Sequence, residues 1–123
     1  MHWKPEGYTS VAPYLIVTDA QATLDFAAAV FGAETLAVRR GASGAITHAE
    51  MQIDDTVVML GQAPGGPAAH VHVYVSDPGG AQSAALAFGA DEVEPVQDRP
   101  EGVRRGGVRD ANGITWWLTR HRG

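Results

Sequence analysis

The chain has 123 residues, 45% of them apolar and 19% charged, a mix that describes an ordinary globular domain and excludes disordered, fibrous and collagen-like classes. Nine Lys and Arg against fourteen Asp and Glu give a net charge of −5, which repels a phosphate backbone, so nucleic acid is not an expected partner. With no cysteine, disulfide staples, thiolate metal sites and cysteine nucleophiles are excluded together.

The opening "MHWKPEGYTS" lacks the apolar stretch of a secretory signal, and no apolar run reaches the ~20 residues of a membrane span. The expectation is a cytoplasmic protein with no membrane partner. A β-rich run then ends at Val17-Thr18-Asp19, where Asp19 is placed to cap a helix carrying Leu24, Ala27, Ala28 and Phe31 at helical spacing. Gly32 follows as a left-handed C-terminal cap. Alternation predicts strands over about 34–39, 46–53 and 56–60, with Asp54-Asp55 turning between the last two.

"GQAPGGPAA" at 61–69 is a Gly/Pro connector, and after it the grammar repeats. "VTDAQATLDFAAAVFGAE" at 17–34 matches "VSDPGGAQSAALAFGAD" at 75–91, with an offset of 58 residues that shrinks to 57. Asp77 is the second cap, Ala84, Ala87 and Phe88 mark the second helix, and Gly89 its end. Strands are predicted over about 92–96, 103–109 and 114–119, with "DANG" at 110–113 as the last turn. The expected fold is therefore α+β: one domain over 1–123, made of two βαβββ modules at about 8–61 and 70–120, joined by a connector at about 62–69. A lone module leaves one sheet face bare, so the two combine into a cupped mixed β-sheet with the helices on its outer face.

Strand side chains alternate, which sorts the two faces. Ala49, Met51 and Ile53, Val58 and Leu60, Val71, Val73 and Val75, and Ile114, Trp116 and Leu118 form apolar rows for the helices. The opposite rows carry His48, Glu50 and Gln52, Val57 and Met59, His70, His72 and Tyr74, and Thr115, Trp117 and Thr119. A face merely washed by solvent favours Lys, Glu, Ser and Thr. His, Tyr and Trp suit a partly enclosed polar and aromatic pocket, so His48, Glu50, Met59, His70, His72, Tyr74 and Trp117 are expected to line a shared hollow.

Five segments, "PEGYTSVAPYLIVTDA" (5–20), "DFAAAVFGAE" (25–34), "THAEMQIDDTVVML" (47–60), "VHVYVSD" (71–77) and "GVRRGGVRDANGITW" (102–116), resemble the vicinal oxygen chelate superfamily, and within it the PhnB-like branch. This superfamily includes glyoxalase I, bleomycin-resistance proteins and extradiol dioxygenases. The last segment is similar to the pattern G-x-R-x-G-x-V-x-D-x-x-G-x-x-W through Gly102, Arg104, Gly106, Val108, Asp110, Gly113 and Trp116. The resemblance implies paired βαβββ modules curled around a ligand cavity, usually in a homodimer. It also implies four inward positions that hold a divalent metal in the metalloenzymes of the family. Counted onto this chain, those positions are Ala12, Met59, His70 and Trp117, of which only His70 suits a hard or borderline ion, so no metal cofactor is expected there.

Several functions compete. The first is a binding protein of the bleomycin-resistance type, holding a flat small molecule between Trp117, Tyr74 and the histidines by stacking and cation–π attraction. The acidic balance suits a cationic guest, whereas the arginine-bearing stretch "DRPEGVRRGG" at 98–107, read as a glycine-rich lid, suits a carboxylate or phosphate; Arg104 is its candidate ligand contact. The second is a metal-dependent lyase, isomerase or dioxygenase with a relocated site, in which His48 and Glu50 share a strand face and His70 or His72 supplies the third ligand. A metal-free variant would use Glu50 as general base with His48 as its partner. The third is an interaction module whose cup a partner subunit closes. Asp110 is expected to fix the final hairpin rather than perform chemistry.

Overall fold

The computed structural model describes residues 3–122. Residues 3–13 run without regular structure. The first module then comprises β1 (Tyr14–Val17), α1 (Ala20–Phe31), β2 (Glu34–Arg40), β3 (Ile46–Ile53) and β4 (Thr56–Gln62). The second comprises β5 (Ala69–Tyr74), α2 (Pro78–Ala87), β6 (Asp91–Arg99), β7 (Val103–Arg109) and β8 (Ile114–His121).

The helix ends follow from the caps. Asp19 accepts the Ala22 N–H at 3.1 Å and Asp77 accepts the Gly80 N–H at 3.1 Å, each satisfying a donor that the first turn cannot. Gly32 takes φ 68°, a left-handed state that would strain a residue with a Cβ, and its N–H closes the last turn of α1 onto Ala28.

Each module builds its own four-stranded mixed sheet, in the orders β1-β4-β3-β2 and β5-β8-β7-β6. Both βαβββ modules expected from the sequence are present, each with its own mixed sheet. The reason is local: the first strand of each module pairs in parallel with the last strand of the same module, so every ladder closes within its repeat. The registers also repeat, with Tyr14 beside Met59 in one sheet and His72 beside Trp117, 58 residues on, in the other.

One continuous core joins the modules. Leu15, Val17, Ala49, Met51, Ile53, Val58 and Leu60 from the first sheet meet Val108, Ile114, Trp116 and Leu118 from the second, with α1 and α2 between their rows. Phe26 of α1 packs on Trp116 and on Phe88 at ring separations of 5.7 and 6.2 Å. The polar rows therefore lie on the sheet faces turned away from this core.

Two polar clasps hold the arrangement. Asp110, buried at the β7–β8 turn, accepts the backbone N–H groups of Asn112 and Ile114 at 2.9 and 3.0 Å and the Trp116 indole N–H at 2.9 Å. Asn112 then crosses between modules: its amide donates to the Asp19 carbonyl and the Thr23 hydroxyl and accepts the Asp19 N–H.

The stretch expected as a glycine-rich lid is a hairpin, in which β6 runs to Arg99, residues 100–102 turn, and β7 begins at Val103. Pro95 is accommodated because β6 is an edge strand with register shifts on both sides of Glu94. Strand pairing outcompetes loop freedom there.

Candidate functional site

On the outer face of the second sheet, Trp117 of β8 occupies a position cleared by glycine. A Cβ at Gly107, its register partner on β7, would come within 2.7 Å of the indole, so the ring lies across bare backbone. Its N–H donates to His70 Nδ1 at 3.1 Å, which leaves the His70 ring proton on Nε2. The two rings are inclined by only 8°, with centroids 6.1 Å apart. A hydrogen bond running from one ring edge to the other at that separation places them edge to edge in nearly parallel planes rather than face to face. Together they form a flat plate two rings wide.

His72 and Tyr74, on the same face of β5, lie beyond the plate in edge-to-face contact at 4.7 Å, and Tyr74 is 68% exposed. Arg105 of β7 brings its guanidinium carbon to 5.4 Å from the Trp117 ring centroid.

The first sheet carries a second group. His48 Nε2 and Glu50 lie 2.8 Å apart, the Tyr8 hydroxyl also donates to Glu50, and His48 Nδ1 sits 3.4 Å from the Tyr14 hydroxyl. The donors from His48 and Tyr8 hold the Glu50 carboxyl below its ordinary range, and the Glu50 carboxylate holds the Tyr8 phenol above its own. Glu50, Met59, Tyr8 and Arg39 line a cavity of about 390 Å³ under the irregular N-terminal segment.

The candidate residues do not form one cluster. His48, Glu50 and Met59 belong to the first sheet and His70, His72, Tyr74 and Trp117 to the second, and the contacts that hold each set run within its own sheet. Strand alternation sorts the faces of a sheet but does not say whether two sheets share a hollow. Arg104 departs from the site: it alternates with Arg105, so it shares the parity of Gly106 and Val108, and it pairs with Asp98 at 3.2 Å in solvent. Sorting "VRRGGVR" by parity would have pointed to Arg105, and sorting "YLIV" would have added Tyr14. Tyr8 comes from a segment with no period and carried no such signal. A larger concavity of about 650 Å³ lies between the end of α1 and the start of α2, but of the candidate residues it includes only Tyr74.

The donor set does not fit the metal that the family resemblance implies. Trp117 presents an N–H donor, Ala12 has no ligand atom, Met59 offers a soft thioether, and the Nδ1 of His70 is engaged by Trp117. The relocated triad also lacks its third member, since His70 and His72 stand on the other sheet. Among the described residues, no three His, Asp or Glu side chains gather as a metal requires.

The Glyoxalase/Bleomycin resistance protein/Dioxygenase superfamily model matches residues 8–118. An uncharacterised protein of Mycobacterium bovis is 30% identical, over 89% of this chain and 81% of its own length. The crystal structure of TioX from Micromonospora sp. ML1 is similar at 34% identity and a TM-score of 0.78, covering 92% of this chain and 98% of that one. FosX, a genomically encoded fosfomycin resistance protein from Listeria monocytogenes, shares the fold at 15% identity and a TM-score of 0.70, over 94% and 98% of the two chains. With repeat, topology and family match in agreement over nearly the whole length, the chain belongs to the glyoxalase/bleomycin resistance protein/dioxygenase superfamily.

Proposed function

We propose that the chain is a small-molecule-binding protein of the glyoxalase/bleomycin-resistance type that receives a flat ligand on the His70–Trp117 plate. The observation that carries this reading is the hydrogen-bonded pair of nearly parallel rings on an outward sheet face, with the Trp117 indole laid over Gly107. A core aromatic is packed on both sides, whereas this plate keeps a face for a guest, and stacking on such a ring contributes about 1–3 kcal/mol. The protein acts in the cytoplasm as a homodimer, a second copy covering the outer sheet faces, where Tyr14 and Tyr74 are 53% and 68% exposed. Neither nucleic acid nor membrane is a partner in this reading, in keeping with the charge of −5.

Calorimetric titration with 2-naphthamide, a neutral planar probe, tests the proposal on the intact protein and on Trp117→Ala. Uptake by the first and loss by the second is the expected result; equal affinity for both rejects the plate.

A second reading rests on the first sheet. Glu50 accepts from the His48 Nε2–H, which leaves the Nδ1 lone pair directed at the Tyr14 side, as a metal-free acid–base site would need. Here His48 is the base and Glu50, kept ionised by its two donors, positions it. This reverses the roles expected from the sequence.

A further inference from the structure

Arg105 is a half-buried guanidinium whose N–H donors make no hydrogen bond to the described residues. Its side chain is 29% exposed, and its nearest carboxylate oxygen, on Glu94, stands 3.7 Å away, too far for a hydrogen bond. Among the described residues its side chain makes no hydrogen bond, although it has five N–H donors, and its Nε is buried without a partner. The other arginines around it are engaged: Arg99 donates to Glu94 at 3.1 Å, Arg104 to Asp98, Arg120 to the Ser76 carbonyl and Arg122 to the Arg99 carbonyl.

A second unpaired group lies beside it. Thr119 of β8 is the register partner of Arg105, so the two side chains rise from the same face of adjacent strands. Thr119 is 2% exposed, and its hydroxyl oxygen is buried with no hydrogen-bond partner. An unmet donor removed from water costs its full desolvation, so native folds rarely leave two such groups side by side without a use. The local charge has a sign as well: Arg99 and Arg105 share the single carboxylate of Glu94, which leaves one positive charge next to the plate.

We propose that Arg105 and Thr119 form an oxyanion subsite at the edge of the plate, so that the flat ligand is an aromatic carboxylate whose ring lies on Trp117 and whose carboxylate accepts from the guanidinium and the threonine hydroxyl. This inference rests on the plate reading and adds the ligand's charge to it. A planar, fork-shaped donor matches a carboxylate, and its charge-assisted bonds are stronger than those to a neutral amide. The acidic balance of the whole chain favours cations at long range, but the groups beside the ring decide the contact, and Arg99 and Arg105 against the one carboxylate of Glu94 leave them net positive. The Arg105 side chain already hovers over the indole, so it needs only a rotation about its stem to meet an anion seated there.

Three probes of one shape separate the possibilities by calorimetry on the intact protein: 2-naphthoate, 2-naphthamide and 2-naphthylmethylammonium. The expected order is naphthoate tightest, by about tenfold over the amide, with the ammonium weakest. Arg105→Gln and Thr119→Val should each remove most of the naphthoate advantage, lowering naphthoate affinity more than amide affinity, and Arg104→Gln should preserve the full advantage. Circular dichroism of each variant checks that it folds, and Arg105→Lys, which keeps the charge but loses the fork, should retain only part of the gain. If amide and naphthoate bind equally, or if the ammonium binds best, the subsite is wrong and the plate stands. If no probe binds, or if Trp117→Ala binds all three unchanged, the plate itself falls and the subsite with it.

Discussion

Trp117 lies flat across Gly107, so close that a single added methyl at residue 107 would come within 2.7 Å of the indole and within 2.8 Å of a second ring atom. The two residues are register partners on β8 and β7, and backbone flexibility is not what the glycine supplies: its φ is not among the positive values of the chain. It supplies space. Gly107→Ala should lift the ring, break the 3.1 Å bond to His70 and tilt the plate. The cost in stability should be about 1–3 kcal/mol, as for other overpacked sites. Near-ultraviolet circular dichroism and 2-naphthamide affinity should both fall; unchanged spectra and affinity would show that the ring does not depend on that space.

Asp110 is a structural carboxylate. It is 8% exposed, with three N–H donors converging on it, one of them from the fully buried Trp116. Asp110→Ala would strand those donors and should cost about 3–5 kcal/mol, while Asp110→Asn should cost less because one acceptor oxygen remains. Urea unfolding measures both. A loss under 1 kcal/mol for the alanine variant would contradict the clasp.

Asn112 is the polar tie between modules, reaching Asp19 and Thr23 of the first from the last hairpin of the second. Asn112→Ala should lower stability by about 1–2 kcal/mol and speed hydrogen exchange at the start of α1 more than in β3. Uniform acceleration across both would argue against a local tie.

Glu50 links stability to pH. Its carboxyl is held below its ordinary 4.5, chiefly by the His48 hydrogen bond and then by Tyr8, so the folded state binds fewer protons than the unfolded one. That contribution is complete above pH 4.5 and is lost as the pH falls through the folded value. Tyr8 runs the other way: its phenol is raised above 10.0 by the bond to Glu50, so its contribution is complete below pH 10.0 and is lost as the pH rises through the folded value. Denaturation followed from pH 7 to 3 should show a shallower acid limb for Glu50→Gln and for Tyr8→Phe than for the parent protein. Parallel limbs for all three would remove the network.

Much of this fold was legible because its signals are local. Strands 46–53 and 103–109 were predicted at the bounds of β3 and β7, and Asp19, Asp77 and Gly32 sit at the expected caps, since hydrophobic period and capping chemistry act over a few residues. Parity likewise sorted Ala49, Met51 and Ile53 into the core and Trp117 away from it. How the two repeats of one chain dock is set by the packing of Phe26 on Phe88 and Trp116, which no strand pattern encodes. Arg104 stands out only by its place in a family pattern, whereas the alternation that places the histidines, applied to β7, selects Arg105.

A planar guest resting on Trp117 must perturb that indole and spare the other two. The most direct test is the indole N–H resonance of each described tryptophan, Trp3, Trp116 and Trp117, during titration with 2-naphthamide. The Trp117 signal should shift progressively while those of Trp3, 84% exposed, and Trp116, fully buried, stay in place. A shift confined to Trp3, or none at Trp117 when binding is otherwise evident, would contradict a guest on Trp117.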